Sequence, residues 1–337
     1  MSLGYTPQVE VYGANADLIN ARLIDWERVD AAGIESDRLH LTVDMKGLED
    51  SLPSFGGNIG IRVGYKESGL VDRGEYKVTR RTPHLFPPRM LIIATAAPFK
   101  VADETEFKAR RSASYGPTTL GAIFRQLASR HGFSPRVSPE LDSLEVAHLD
   151  QSNETDMAFL TRIARQYDAV AKPINELYVL ARRGQVKTLS GKALAPVTLS
   201  VTTNNRPDDA SFINASVDDD ARVKFKGCRT VWWDGESGKE CVVETGGAPF
   251  ERVRQRHPDE ASAKAAGEGR LRQLEREALK VRIDAPGNPA FEAEGLVVLD
   301  DSWPAYMRGS WSVDRVTESG SRQQSYRAVI EASLPAS

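Results

Sequence analysis

Residues 117–133 read PTTLGAIFRQLASRHGF, a stretch whose apolar residues recur at spacings of three, four, seven and eight. That period predicts an amphipathic helix. Its apolar stripe consists of Leu120, Ile123, Phe124, Leu127 and Ala128. Thr118 or Thr119 can cap the start, because a side-chain oxygen there accepts from an unpaired backbone N–H. Gly132 is expected to end the helix, since glycine tolerates the left-handed conformation that follows a last turn.

A second amphipathic helix is predicted within residues 150–167, DQSNETDMAFLTRIARQY. Ser152 or Asn153 is the expected cap. Glu154 and Asp156 place negative charge in the first turn, where the helix dipole favours it. The expected apolar stripe consists of Met157, Leu160, Ile163, Ala164 and Tyr167.

A hairpin is predicted after these helices, with arms at residues 169–171 and 177–180 and a turn at 174–176. In this order, the runs TTLGAI, HLDQSNETDMAFLTRIARQY and ELYVLARR resemble the late control protein D family of temperate contractile-tailed phages. That family supplies the tail hub of the baseplate. The stretch is also similar to the hub part of type VI secretion spike proteins.

The type VI hub pattern DxxFLxRLAxxxG has its counterparts on the second predicted helix. They are Asp156, Phe159, Leu160, Arg162, Ile163 and Ala164. The glycine of the pattern falls near Asp168 and Ala169 and is missing, so the turn after this helix departs from the family.

Residues 5–100 are predicted to be mostly β, because short alternating stretches are separated by turn residues. The expected strands are residues 8–13, 38–44, 58–65, 76–81 and 89–96. Turns are expected at residues 69–74 and at Pro87-Pro88. The pattern is typical of a small antiparallel barrel or sandwich. Gly64-Tyr65 and the strand pair that follows also resemble the hub family.

Residues 98–117 are expected to form a connector, and Arg110 and Arg111 stand out in it. Two adjacent arginines can bind phosphate. We favour a solvated loop, or ion pairs with acidic residues at 103–106. The hub family has an arginine pair at the same place, so the resemblance implies a structural role for both residues and makes them interface candidates.

A second β region is expected from residue 195 onward, with a strand at 195–200 and closing strands at 294–300, 309–317 and 324–332. The closing strands resemble the end of the hub family. Residues 258–280 are alanine- and charge-rich and predict a helix. Pro258 is expected in its first turn, beside Asp259 and Glu260 at the favourable end of the dipole. Gly267 and Gly269 are expected to weaken its middle.

Cys228 and Cys241 lie in a predicted hairpin, VKFKGCRTVWWDGESGKECVVET. A turn centred near Glu236 would pair Cys228 with Glu244, and Cys241 with Val231. The two thiols would then be out of register, and a disulfide needs close β-carbons. The sequence therefore predicts two free thiols.

Trp232 and Trp233 lie in the first arm of that hairpin. Neighbouring side chains in a strand point to opposite faces. One ring can enter the core, whereas the other needs a covering loop or a partner surface. Both tryptophans are therefore interface candidates.

Composition excludes several classes of function. The chain has 337 residues, 40% hydrophobic and 27% charged, with a net charge of −3, so no global basic field points to nucleic acid. No apolar run reaches the length of a bilayer span, and we expect no signal peptide. The five histidines and two cysteines have no zinc spacing, and the sequence has no P-loop, nucleophile elbow or dinucleotide motif. Asp218-Asp219-Asp220 is expected to be a polar turn rather than a calcium site.

The predicted class is α+β, mainly β: two barrel-like antiparallel β domains with an α/β insert between them. The expected boundaries are residues 1–98 for the first barrel-like domain, 99–190 for the helix-helix-hairpin insert and 191–337 for the second barrel-like domain, which includes the helix near 258–280.

The resemblance implies a non-enzymatic tail hub, without cofactor, in the baseplate of a contractile phage tail or R-type bacteriocin. It implies a homotrimer that joins the tail tube to the central spike, with wedge proteins and the tape-measure protein as further partners. Assembly in the host bacterial cytoplasm is expected, without membrane insertion or nucleic-acid contact.

Two alternatives stay open. Residues 118–133 have the look of the first helix of a lysin motif, which would make the chain a peptidoglycan-binding or lytic module of the tail. A lysin motif continues with a short loop, a second short helix and a strand within about 45 residues, and the connector here is expected to run longer. The third reading is a type VI spike component, which usually extends into a repetitive needle that this sequence does not contain.

Overall fold

The structure is a computed structural model that describes residues 6–33, 35–48, 57–96, 109–174, 177–183, 195–219, 225–322 and 325–335. The chain divides into two compact units. Unit 1 comprises Met1–Ala97, Ala195–Val217 and Val281–Ala332. Unit 2 comprises Pro98–Leu194, Asp218–Lys280 and Ser333–Ser337. The three-domain division at residues 98 and 190 stays a prediction.

The helices are α1 (Ala16–Arg22), α2 (Leu120–Arg130), α3 (Pro139–Asp142), α4 (Asp156–Gln166) and α5 (Glu260–Glu277). The strands are β1 (Pro7–Gly13), β2 (Leu23–Ala31), β3 (Arg38–Asp44), β4 (Asn58–Tyr65), β5 (Gly69–His84), β6 (Arg89–Thr95), β7 (Arg110–Tyr115), β8 (Thr118–Thr119), β9 (Ser134–Val137), β10 (Glu145–Val146), β11 (Leu149–Thr155), β12 (Ala169–Ile174), β13 (Leu177–Arg182), β14 (Val197–Leu199), β15 (Asn214–Asp219), β16 (Gly227–Asp234), β17 (Lys239–Gly246), β18 (Phe250–His257), β19 (Leu279–Pro286), β20 (Leu296–Leu299), β21 (Gly309–Ser321) and β22 (Ser325–Ser333). The predicted class, α+β and mainly β, is confirmed. Among the described residues, no helix combines the length and apolar character that crossing a membrane requires.

The largest sheet joins strands from both ends of the chain. Its order is β1-β4-β5-β6-β3-β2-β21-β22-β19-β15. Strand β20 also pairs with β21, and β14 pairs with β20, so the sheet has twelve strands among the described residues. The junction is the antiparallel pairing of β2 with β21, from Asp25 opposite Ser321 to Ala31 opposite Arg315. Two separate barrel-like domains stay a prediction.

The N-terminal strands follow the expected alternation, with one turn misplaced. Leu39, Leu41 and Val43 are buried on one face of β3, as predicted. The predicted turn at 69–74 is wrong, because β5 already begins at Gly69, paired with Tyr65. The chain reverses over residues 66–68 instead, and the tight pairing leaves no room for a longer turn. The turn at Pro87-Pro88 is confirmed.

A buried ionic cluster lies within the core of unit 1. Glu318 is fully buried and accepts from Arg28 Nη1 at 2.7 Å and from Arg73 Nε at 3.3 Å. The hydroxyl of Tyr326 donates to its other oxygen at 2.6 Å. Arg28 also donates to the hydroxyl of Tyr76 at 2.9 Å. The cluster ties strands β2, β5, β21 and β22 together.

The first predicted helix of unit 2 is confirmed as α2. Thr119 caps it, since its side chain accepts from the backbone N–H of Ala122 at 3.2 Å. Gly132 adopts a φ of 76°, the left-handed conformation expected after the helix. All five residues of the predicted stripe are buried in the core of unit 2.

The start of the second helix was placed too early. Residues 149–155 form β11, so Ser152 and Asn153 do not cap, and Glu154 precedes the helix. Thr155 is the cap of α4 and accepts from Ala158 N at 3.1 Å. Met157 is 41% exposed, unlike the rest of the predicted stripe, whereas Phe159, which the predicted stripe left out, is fully buried in the core.

The segment before α4 contains more secondary structure than the connector that we expected. β7 replaces the predicted loop at 110–115 and pairs antiparallel with β11, from Tyr115 opposite Leu149 to Arg110 opposite Thr155. Between these strands lie α2 and the short helix α3. After α4, the predicted hairpin forms as β12 and β13; residues 175–176 of its turn lie outside the described residues.

The tryptophan hairpin forms one register step away from the prediction. Cys228 lies opposite Thr245, and Cys241 lies opposite Trp232. The difference arises because four residues, 235–238, connect Asp234 to Lys239, which moves the centre of the turn by half a residue. Both thiols are free, as predicted.

Helix α5 packs on this hairpin and begins at Glu260, two residues after Pro258, which we expected in its first turn. Asp259 is the cap and accepts from Ser262 N at 2.7 Å, so Pro258 precedes the helix. Gly267 and Gly269 also allow close packing of the helix against neighbouring segments. A β-carbon at Gly267 would come within 2.6 Å of Thr245 Oγ1, and one at Gly269 within 2.7 Å of the carbonyl oxygen of Gln166.

Candidate interaction surfaces

Helix α5 covers one face of the sheet β17-β16-β18 and leaves the other face without it. Cys228 Sγ lies 2.9 Å from the carbonyl oxygen of Gly267, and the Thr230 hydroxyl donates to the carbonyl oxygen of Ala263 at 2.8 Å. By strand alternation, Trp232 lies on this helix-covered face, where it is half-buried. Trp233 lies on the opposite face and is 50% exposed. The two rings thus differ in exposure, as expected if they lie on opposite faces, and the interface role of both tryptophans stays a proposal.

The uncovered face, which we call the tryptophan face, mixes apolar and basic groups. Val242 is 57% exposed on β17 beside Trp233. Next to them is an open depression of about 520 Å³. Its lining residues are Val231, Glu240, Arg252, Val253, Arg254 and Arg256. Glu240 binds Arg256 at 2.9 Å. An exposed tryptophan beside arginines is the composition that protein interfaces favour.

The two adjacent arginines have different surroundings: one is exposed to solvent, and the other binds a buried carboxylate. Arg110 is exposed on β7. Arg111 Nε lies 3.1 Å from Asp156 Oδ1, and Asp156 is fully buried. The acidic partners considered at 103–106 lie outside the described residues. Arg111 therefore has a local structural role, whereas the interface role of both arginines stays a proposal.

Asp156 is the centre of a polar cluster at the start of α4. It lies 2.8 Å from His131 Nε2, accepts from Gln151 Nε2 at 2.8 Å and pairs with Arg130 at 3.2 Å. Burial by itself would raise the pKa of Asp156, but the hydrogen bonds from Gln151 and His131 and the charges of Arg111 and Arg130 outweigh it and hold the pKa below its ordinary value. The cluster joins β7, α2, β11 and α4.

Acid should therefore destabilise unit 2 through Asp156. Its folded-state pKa is depressed, so its contribution is fully present above the ordinary carboxyl pKa of about 4 and is lost as the pH falls through the folded-state value. We expect Asp156→Asn to lower stability by about 2 kcal/mol at pH 7, because the fully buried carboxylate loses its charge-assisted contacts with buried His131 and with the partly exposed Arg111 and Arg130. Chemical unfolding at several pH values measures this. Asp142→Asn, at an exposed pair with Arg125, is the control. An acid limb unchanged in Asp156→Asn would contradict the assignment.

The tip of the β5–β6 hairpin is a surface that the sequence prediction did not single out. Leu85 is 94% exposed and Phe86 is 93% exposed. They lie in the four-residue turn between His84 and Arg89. The sequence shows this apolar pair in LFPP, between His84 and Arg89. The prediction used the two prolines as turn signals and did not consider the exposure of Leu85 and Phe86.

The described residues offer no evident metal site. Groups of three or more His, Cys, Asp or Glu side chains that could hold a metal are absent from the described part of the chain. Asp218 and Asp219 belong to β15 rather than to the polar turn that we predicted, and residue 220 lies outside the described residues. The backbone here pairs in a sheet, which explains the difference.

Comparison with known proteins identifies relatives of one kind. No protein-family model matches the chain. The chain is 32% identical over 189 residues to the probable baseplate hub protein of Escherichia phage P2, covering 56% of this chain and 48% of that protein. It is 29% identical over 185 residues to the probable baseplate hub protein of Escherichia phage 186, covering 55% and 46%. The matched region is thus about half the length of these curated relatives.

Solved structures extend the likeness of fold to the whole chain. The tail protein from Neisseria meningitidis MC58 matches with a TM-score of 0.66 and 12% identity, over 98% of this chain and 97% of that chain. The 43 kDa tail protein of prophage MuSo2 from Shewanella oneidensis matches with a TM-score of 0.64 and 11% identity, over 97% and 98%. The Escherichia coli c3393 protein, a type VI secretion component, matches with a TM-score of 0.56 and 12% identity, over 100% and 76%. The chain is therefore similar in sequence to probable baseplate hub proteins of Escherichia phages P2 and 186 and has the fold of phage tail and type VI secretion proteins, which confirms the resemblance predicted from its sequence.

Proposed function

We propose that this protein is the tail hub of the baseplate in a contractile phage tail or an R-type bacteriocin. The observation that carries the proposal is the 32% identity over 189 residues to a probable baseplate hub protein. The role is structural, without bond-making chemistry, and its place is the tail particle after assembly in the bacterial cytoplasm.

The proposed mechanism is symmetry matching. Three copies form a closed ring, and each copy contributes two related β surfaces, so that six near-equivalent surfaces meet the tail tube while three-fold symmetry meets the central spike. The described strands β1 and β15 stand at the two ends of the large sheet. Exposed strand edges invite unwanted pairing, and ring closure is one way to cover them.

The tryptophan face and Arg110 are the surfaces that we assign to the tube, the spike or the wedge proteins. Trp233 presents a large half-exposed ring beside the arginines of β18. Tryptophan and arginine are the residues that most often dominate binding energy in protein interfaces. Arg111 supports Arg110 indirectly, since its pair with Asp156 fixes β7 against α4.

Binding of the spike and tube proteins of the same particle tests this function. We expect the purified chain to comigrate with each protein in size-exclusion chromatography. Trp233→Ala should weaken binding to at least one of them by tenfold or more, because truncating an interfacial tryptophan commonly costs about 2 kcal/mol or more. Tyr306→Ala is the control, because it removes an exposed aromatic ring from unit 1, whereas Trp233 belongs to unit 2. Failure to bind either protein would contradict the hub function.

A peptidoglycan-binding module is the second candidate, and one observation favours it. Helices α2 and α3 lie between the antiparallel strands β7 and β11 within residues 110–155, together with the short strands β8, β9 and β10. The longer connector that argued against a lysin motif is therefore absent from this stretch. A pull-down with purified peptidoglycan tests the module: retention no greater than that of an unrelated protein of similar charge would eliminate it.

A further inference from the structure

The tip of the β5–β6 hairpin exposes more apolar side chain than any other described site. Leu85 and Phe86 are 94% and 93% exposed, whereas the next large hydrophobic residue in exposure, Tyr306, is at 71%. The base of the same hairpin is well packed, with Met90, Ile92 and Ala94 almost fully buried on one face of β6. The strand that follows the tip is thus well packed, whereas the two adjacent apolar side chains at the tip are exposed.

The charge around this tip has one sign. The hairpin segment 77–95, KVTRRTPHLFPPRMLIIAT, carries four basic residues and no acidic one. The four are Lys77, Arg80, Arg81 and Arg89. Because they belong to the 44 Lys and Arg of the chain, the remainder holds 40 basic residues against 47 acidic ones. The hairpin is therefore opposite in charge to the rest of the protein that carries it.

We propose that the hairpin tip docks onto a second copy of this chain, so that Leu85 and Phe86 are covered by a surface outside the hairpin, where the chain has its excess of acidic residues. This inference rests on the proposed trimeric hub. A projecting tip that contacts a different surface of the next copy makes a head-to-tail contact, and such contacts generate a closed ring when the rotation between copies closes. Each tip in the ring is then covered, and opposite charges on the two surfaces guide the encounter and set the register.

Photocrosslinking at the tip tests the contact directly. Phe86 is replaced by p-benzoylphenylalanine in the full-length chain, a change that the exposed site accommodates without repacking. We expect irradiation to produce a covalent species at twice the 37.1 kDa mass of the chain. The same probe at Met157, which is 41% exposed on α4, is the control and should give far less product.

A second variant measures what the tip contributes. Leu85→Ser combined with Phe86→Ser should raise the concentration needed for half-assembly at least tenfold, with an unchanged circular dichroism spectrum. Met157→Ser should leave it unchanged. Arg80→Glu with Arg89→Glu should also weaken assembly, and high salt should weaken assembly of the wild-type chain, because the proposed contact is partly electrostatic.

Three results would overturn the inference. If the wild-type chain trimerises without a crosslink from position 86, the tip lies outside the ring contact, and the hub function stands. If the wild-type chain stays monomeric at every concentration, the tip does not bind a second copy, and binding of spike and tube proteins then decides the hub function separately. If the tip instead makes the chain float with vesicles of anionic phosphatidylglycerol, and Leu85→Ser/Phe86→Ser abolishes this, its partner is a lipid surface.

Discussion

Replacing Glu318 with glutamine should destabilise unit 1 by about 3 to 5 kcal/mol, the usual effect of removing one partner from a buried ion pair. Glu318 is fully buried and is shared by Arg28 and Arg73, both of which are also almost completely buried. Asp30, at 3.3 Å from Arg28, and Glu292, at 3.4 Å from Arg73, can compensate only in part. The two guanidinium groups would remain in the interior with a reduced counter-charge.

Guanidinium unfolding followed by tryptophan fluorescence measures this effect. Glu331→Gln is the matched control, because Glu331 lies on the neighbouring strand β22 and its pair with Arg282 is exposed to solvent. Exposed pairs contribute about 0 to 1 kcal/mol. Equal midpoints for the two variants would contradict the role of the buried cluster.

Replacing Gly269 with alanine should destabilise unit 2, although glycine to alanine usually stabilises a helix interior by about 1 kcal/mol. An added β-carbon would lie 2.7 Å from the carbonyl oxygen of Gln166 and 3.0 Å from the carbonyl carbon of Tyr167. Both neighbours are backbone atoms, so neither can rotate away. We expect a loss of about 1 to 3 kcal/mol, the typical effect of overpacking.

Chemical unfolding of Gly269→Ala measures whether its free energy of unfolding is lower or higher than that of the wild type. Lys264→Ala, at an exposed position of the same helix, should change the free energy of unfolding by only a few tenths of a kcal/mol. If Gly269→Ala proves more stable than the wild type, α5 does not approach the turn after α4 as closely as the structure indicates.

Periodicity predicted helix α2 in detail because every signal agreed there. Its five apolar residues share one face, and the capping threonine and terminal glycine stand at its ends. In α4 the same period placed the edges of the apolar face incorrectly, since it included Met157, which is exposed, and left out Phe159, which is fully buried. The strand β11 was missed because DQSNET is rich in capping residues and has no apolar alternation.

The candidate surfaces depend on long-range contacts that no local pattern encodes. Gly267 and Gly269 looked like weak points in a helix, but they allow close approach of Thr245 and of the turn after α4. Asp156 looked like an ordinary charge in a first turn, yet it gathers Arg111, Arg130 and His131, which lie far from it in sequence. Alternation in a strand predicted that the two adjacent tryptophan rings lie on opposite faces, but it did not predict which of them is exposed.

The solution mass of the purified chain, measured by light scattering over a concentration series with and without the spike protein, tests the hub account most directly. The account predicts a stable species at three times the 37.1 kDa chain mass, formed by the chain alone or on addition of the spike protein. A chain that remains a monomer under both conditions would contradict the trimeric hub and would favour the peptidoglycan-binding module.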